Sequence, residues 1–130
     1  NIAEALRYLT NAIKRKATVF LLSDFLDSDF ENALKIAKNK HDVVAVQTCD
    51  QGEMNLPTLG LIQVKDAETG KIRLIDTSSK NIQKQYHAWW LENDKRLNDI
   101  FRKTGIDNVK LFTDKDYVPA LKNLFLKRSV

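Results

Sequence analysis

Apolar residues recur at Ile2, Leu6, Leu9 and Ile13, with Ala5 and Ala12 beside them. Steps of three and four put them on one face, which predicts an amphipathic helix over 2–14. After the basic Lys14-Arg15-Lys16 the pattern changes. Ala17 to Leu22 is apolar at nearly every position and predicts a strand over 17–22. A run with no polar alternation suits a parallel sheet covered on both faces, so these side chains are expected to be buried. Ser23-Asp24 closes the run where the strand leaves the sheet. In open α/β sheets that carboxyl edge is where ligands bind.

Ser28 and Glu31 have capping-box spacing and predict a helix over 29–39, with Phe30, Ala33, Leu34 and Ala37 as its buried stripe. A second buried strand is predicted over 43–48, with Thr48, Cys49 and Asp50 at its end. Gln51–Thr58, which holds Gly52 and Pro57, reads as a loop. Two short strands, 61–66 and 71–76, alternate in part: Ile62 and Val64, then Ile72 and Leu74. Gly70 suits the left-handed position of the turn joining them as a hairpin. A long helix is predicted over 80–103, its stripe running through Ile82, Tyr86, Trp89 or Trp90, Leu97, Ile100 and Phe101. Gly105 stops it. A third strand follows over 109–113, then a helix over 117–127 with Asp116 as N-cap and Pro119 in its first turn. Val118, Leu121, Leu124 and Phe125 are expected to face inward. Helices alternating with strands on short links predict one α/β domain over 1–130, built on three parallel strands with a hairpin inserted.

Composition adds bounds. The chain has 130 residues, 43% apolar and 29% charged, enough for a domain with a real core. Neither a membrane-length apolar run nor a signal peptide is visible, and Cys49 is the only cysteine, so a cytoplasmic setting is expected. The net charge is +4. Lys14-Arg15-Lys16, Lys35, Lys38 and Lys40 fall at helix ends and faces, where lysines complement the helix dipole, so neither a nucleic-acid nor a membrane partner is expected. The chain enters a helical pattern directly at Asn1, which suggests a piece of something longer.

Candidate chemistry gathers at the strand ends: Ser23-Asp24, Thr48 with Asp50, and Thr113-Asp114, with Asp27 and Asp29 near the first. Carboxylate and hydroxyl oxygens suit a hard cation such as magnesium, and a metal-dependent enzyme using Asp24, Asp50 and Asp114 is one reading. The plainer reading is that these residues cap helices and open loops. A phosphoaspartyl phosphatase would need Asp-x-Asp directly after the strand, whereas Asp27-x-Asp29 comes one turn late. No glycine-rich phosphate loop exists. His41 and His87 read as surface or packing residues, and Cys49 as a small buried hydrophobe. Trp89-Trp90 reads as packing against sheet and hairpin, with an aromatic anchor for a partner protein as the sharper alternative.

Several pieces together resemble the C-terminal part of the bacterial and archaeal domain-of-unknown-function-58 proteins, whose fold is similar to the von Willebrand factor A domain. They are Asn1-Ile2 with Ala5-Leu6, Leu22-Ser23-Asp24-Phe25, Asp50 with Glu53, Leu56-Pro57 with Gly60, Asp66-Ala67-Glu68-Thr69-Gly70, Asp76-Thr77, Tyr86, and Thr113-Asp114 with Asp116-Tyr117. The resemblance implies a three-layer Rossmann-like partial domain. It also implies a metal-ion-dependent adhesion site, assembled from an upstream Asp-x-Ser-x-Ser, a Thr before the first helix and an Asp after the next strand. Only the last has a counterpart, Asp24, so Mg2+ is implied for the full-length protein and no cofactor for this chain. Family members are often encoded beside MoxR-type AAA+ ATPases, which implies a non-enzymatic protein-interaction module in assembly or maturation of other proteins. In the family's sheet, strand 17–22 pairs with a strand further upstream. Left open, that edge invites pairing, and a homo-oligomer through it is expected.

Overall fold

The computed structural model describes residues 1–50, 56, 58–66 and 69–128. Of the loop read over Gln51–Thr58 only Leu56 and Thr58 are among them; Gly52, Glu53 and Pro57, and Ala67-Glu68 of the hairpin turn, lie outside the described residues. The elements are α1 (Ile2–Ala12), β1 (Thr18–Ser23), α2 (Glu31–Lys40), β2 (Asp42–Cys49), β3 (Leu61–Lys65), β4 (Ile72–Asp76), α3 (Lys80–Thr104), β5 (Asp107–Phe112) and α4 (Val118–Arg128). They form two compact units, Asn1–Cys49 with Lys95–Val130, and Asp50–Asp94.

The first unit is mixed α/β. Its sheet has the order β1-β2-β5, and both pairings are parallel, with Val19 beside Val43 and Val46 beside Val109. The central β2 is the most apolar strand, and Val43, Val44, Ala45 and Val46 are all buried. On one face, Val43, Ala45, Val19 and Leu21 pack with Leu6 of α1, Leu34 of α2, Leu97 and Phe101 of α3, and the loop residues Phe25 and Phe30. Each such apolar side chain stabilises the fold by roughly 1.5–3 kcal/mol. Successive strand residues point to opposite faces, so Phe20 looks the other way, where its ring lies 6.0 Å from that of Phe125 in α4. Helices therefore lie on both faces.

Several boundaries and burials differ from expectation. The apolar run in β1 is not buried on both sides: Val19 and Leu21 are half-buried, while Phe20 and Leu22 are 42% and 65% exposed. β1 is the sheet's marginal strand and α4 reaches only part of its outer face. For the same reason Val118 and Phe125 do not face fully inward; both are exposed, and Leu124 is the buried residue of α4. α1 ends at Ala12, because Ile13 has extended backbone with its N–H on the Leu9 carbonyl. α2 begins at Glu31, not Asp29, and no side chain caps it. Asp29 has a positive φ of 59°, which turns the chain so that Phe30 enters the core, and the Ser28–Glu31 capping box does not form. Pro119 falls in the first turn of α4 as expected, and Asp116 accepts the Val118 N–H at 3.1 Å.

α3 ends in a Schellman motif: Ile106 N–H meets the Phe101 carbonyl at 3.1 Å, and Gly105 N–H meets Arg102 at 3.2 Å. Gly105 supplies the left-handed residue, φ 69°. Arg128 at the end of α4 bridges Asp42 and Asp107, which open β2 and β5, and so ties that helix to the sheet.

In the second unit β3 and β4 pair antiparallel, with Ile62 opposite Ile75 and Lys65 opposite Ile72. Residues directly opposite share a face. Ile62 and Val64 thus sit with Ile75 and Arg73, whereas Ile72 and Leu74 share the other face with Leu61 and are exposed. The two halves of the expected apolar stripe are on opposite faces. The turn is held by Asp66, whose carbonyl accepts Gly70 N–H at 2.8 Å, with Gly70 at φ 71°. Thr77 is fully buried at the hairpin's end. Its hydroxyl donates to the Gly60 carbonyl at 2.6 Å and accepts Leu59 N–H at 2.8 Å.

Candidate functional site

Because the three strands run the same way, β1, β2 and β5 all present their carboxyl ends at one rim of the first unit. The chain leaving β1 there is tightly fixed. Ser23 Oγ accepts Phe25 N–H at 3.0 Å, and Asp24 Oδ1 accepts Leu26 N–H at 3.1 Å. Between them Phe25 takes a left-handed backbone, φ 56°, and sinks fully into the core against Phe30 and Phe101. A bulky residue there costs about 1–3 kcal/mol of backbone strain, held in place by the packing around it. Two residues on, Asp27 Oδ2 accepts Ile2 N–H at 2.8 Å, at the start of α1, where a carboxylate complements the helix dipole. The Asp27 carbonyl also lies 3.5 Å from Arg96 Nη2.

Asp24 is thereby held at the rim, exposed, with one carboxylate oxygen engaged by backbone. Asp50 and Asp114 are exposed at the ends of the neighbouring strands, Thr48 is half-buried, and Thr113 N–H bonds to the Cys49 carbonyl at 2.8 Å. Among the described residues no three His, Cys, Asp or Glu side chains lie close enough to hold a metal ion.

The other candidates are dispersed. His87 is exposed on α3, and Cys49 is half-buried, not fully buried. Trp90 is half-buried against Tyr86 and Trp89, while Trp89 is 51% exposed. His41 is a packing residue, 3% exposed, at the opposite edge of the sheet. Two features escaped the sequence reading: the left-handed Phe25, which no local propensity favours, and Thr77 as the polar node of the second unit. The second had a signal, since Asp76-Thr77 follows a strand directly.

No described helix is long and apolar enough to cross a membrane. Among known proteins, the chain is similar to the uncharacterized protein MAV169 of Mycobacterium avium, 24% identical over 119 residues, which cover 91% of this chain and 70% of that protein. It is 28% identical over 74 residues to the uncharacterized protein Mb1516 of Mycobacterium bovis and to Rv1480 of Mycobacterium tuberculosis, covering 56% of this chain and 23% of each of theirs. No solved structure matches it significantly. A family described as "Protein of unknown function DUF58" matches residues 1–96, which take in α1, the rim loop, both strands of the hairpin and the start of α3. The chain belongs to that family.

Proposed function

We propose that the chain is a non-enzymatic protein-interaction module with a von Willebrand A-like fold, and that its partner docks at the rim around Asp24. The observation that carries this reading is the parallel alignment of β1 with β2 and β5, which places Asp24 at the sheet's carboxyl edge on a loop pinned by Phe25. An exposed carboxylate fixed by its own loop at the carboxyl edge of a parallel sheet is suited to recognition. The partner we favour is a MoxR-type AAA+ ATPase, which the module would assist in assembling or maturing other proteins. In this reading Asp24 supplies one ligand of a cation site whose other ligands have no counterpart in this chain, so the chain alone binds magnesium poorly.

Two measurements test it. Calorimetry with magnesium and manganese should give no tight binding by this chain. Tight binding that Asp24→Ala abolishes would establish a complete metal site here and restore the enzyme reading. Affinity for a purified MoxR-type ATPase should fall in Asp24→Ala with the fold intact. Equal affinity in both proteins would remove Asp24 from the interface.

A further inference from the structure

The parallel sheet gathers what the sequence scatters. Each helix of the first unit ends where a strand begins: α1 before β1, α2 before β2 and α3 before β5. α4 ends on the strand starts themselves, through Arg128 to Asp42 and Asp107. The amino edge of the sheet, opposite the Asp24 rim, is therefore built from four helix C-termini. Basic residues close three of them: Lys38 and Lys40 in α2, Arg102 and Lys103 in α3, Lys127 and Arg128 in α4. Lys14-Arg15-Lys16 follows α1 on the way into β1.

Taken singly, each of these residues complements a helix dipole. Taken together they are in excess. Asp42 and Asp107 share Arg128, and Asp99 meets Arg102. Lys38 is engaged by the Thr104 carbonyl. Lys14, Arg15, Lys16, Lys40, Lys103 and Lys127 are all exposed and form no ion pair among the described residues. Even with the three carboxylates set against it, the edge is more positive than the chain's net +4. Each helix C-terminus offsets about half a charge of this, and a surplus remains.

Exposed apolar side chains flank that charge. Ile13, 41% exposed, directly precedes Lys14. Phe125 and Leu126, 53% and 56% exposed, directly precede Lys127 in the last turn of α4. The links into β1, β2 and β5 are short, so no described element projects from the edge. Proteins that read duplex DNA put a helix or ribbon into a groove, and nothing here can. Phosphate contacts alone would also leave Ile13 and Leu126 in water. Cations beside exposed apolar groups suit the headgroup layer of an anionic bilayer, where the charges meet lipid phosphate and carboxylate and the apolar groups reach the acyl boundary.

We propose that the amino edge is a docking surface for an anionic membrane, held by Lys14-Arg15-Lys16, Lys40, Lys103 and Lys127, with Ile13 and Leu126 entering the headgroup layer. The attachment is peripheral, since no described helix is long and apolar enough to cross. The surface stands at the other end of the strands from Asp24 and is independent of the reading given for that rim.

The test is co-sedimentation of the full chain with vesicles of phosphatidylcholine alone and of phosphatidylcholine with phosphatidylserine at roughly two to one. The chain should pellet with the mixed vesicles and not with the neutral ones, and less as salt rises. Lys14→Gln, Arg15→Gln and Lys16→Gln combined should weaken binding about a hundredfold, at about fivefold for each charge removed. Lys65→Gln, Lys71→Gln and Lys84→Gln combined remove the same charge from the second unit and should leave binding unchanged. Ile13→Gln should weaken binding severalfold at constant charge. All these residues are exposed, and an unchanged circular dichroism spectrum confirms the fold of each variant. Equal pelleting on both vesicles, equal losses in the two triple variants, or full binding by Ile13→Gln overturns the proposal. Retention on duplex DNA without pelleting on the mixed vesicles also overturns it, and would make the edge a nucleic-acid surface.

Discussion

Phe25 and Phe101 meet edge to face, ring centroids 5.3 Å apart and planes at 84°, although Phe25 has a backbone φ of 56° that its side chain disfavours. Packing has overruled local preference. The two terms can be separated by substitution. Phe25→Ala keeps the strain and loses the ring, and should cost about 3–5 kcal/mol. Phe25→Gly loses the ring but relieves the backbone, and should be more stable than the Ala variant by about 1 kcal/mol. Urea unfolding of both variants measures the difference. An Ala variant as stable as the Gly variant would mean that residue 25 is not left-handed.

The same residue marks what could be read from the chain and what could not. The helical periods of α1 and α3, the apolar run of β2 and the glycines at 70 and 105 are local signals, and each of these elements forms, with ends within two residues of those expected. The parallel sheet followed from the alternation of helix and strand. Failures came where tertiary packing decides. Ser28 and Glu31 have the spacing of a cap, yet burying Phe30 required a left-handed Asp29 and delayed α2 to Glu31. β1 has the composition of a covered strand, but coverage depends on neighbours that sequence period does not report. At the rim, Asp24 was legible as a strand-end carboxylate, whereas its fixing by Phe25 was not.

Thr77 should be among the most sensitive positions of the second unit. Its hydroxyl is wholly buried, accepting from Leu59 N–H and donating to the Gly60 carbonyl. Thr77→Val preserves shape and β-branching but leaves a backbone N–H without its acceptor. The expected cost is about 1–3 kcal/mol. Amide exchange at Leu59 should accelerate in the variant. Unchanged exchange there would show that this bond does not secure the segment.

Any side chain at residue 105 should cost stability. Its φ of 69° strains any L-residue, and an added Cβ would displace the Lys38 ammonium from the Thr104 carbonyl. The lysine is flexible and can move, so the main cost of Gly105→Ala is the backbone, about 1–2 kcal/mol. Gly105→Asn should cost less, because Asn visits the left-handed region more readily. Thermal unfolding of the two variants ranks them, and the reverse order would contradict the Schellman assignment.

Asp76 gives the second unit an acid limb. The Ser78 hydroxyl, and after it the Ser78 backbone N–H, hold its carboxyl below the ordinary carboxylate range. The unfolded chain therefore binds this proton more readily than the folded one. The contribution is fully present above the ordinary carboxylate value of about 4 and is lost as pH falls through the lower folded value. Ser78→Ala removes the hydroxyl bond. Its deficit in melting temperature should be constant near neutrality and should shrink as pH falls through that window. A deficit independent of pH would mean that the hydroxyl does not bond the carboxylate.

Last, β1 offers an edge with little to prevent association. Thr18–Ser23 contains no charged residue and no proline, the usual guards on a strand margin, and Leu22 is 65% exposed. β5, the opposite margin, has Asp107 and Lys110 along its length. An unguarded apolar edge pairs with another strand when one is within reach, and in a solution of this chain alone the available strand is a second β1. Sedimentation velocity should therefore show reversible self-association that rises with concentration. Leu22→Lys places a guard on the exposed side chain without touching the buried face, so it should suppress association and leave the melting temperature of the dilute protein unchanged. A monomeric mass at high concentration, or association that persists in Leu22→Lys, would place the contact elsewhere.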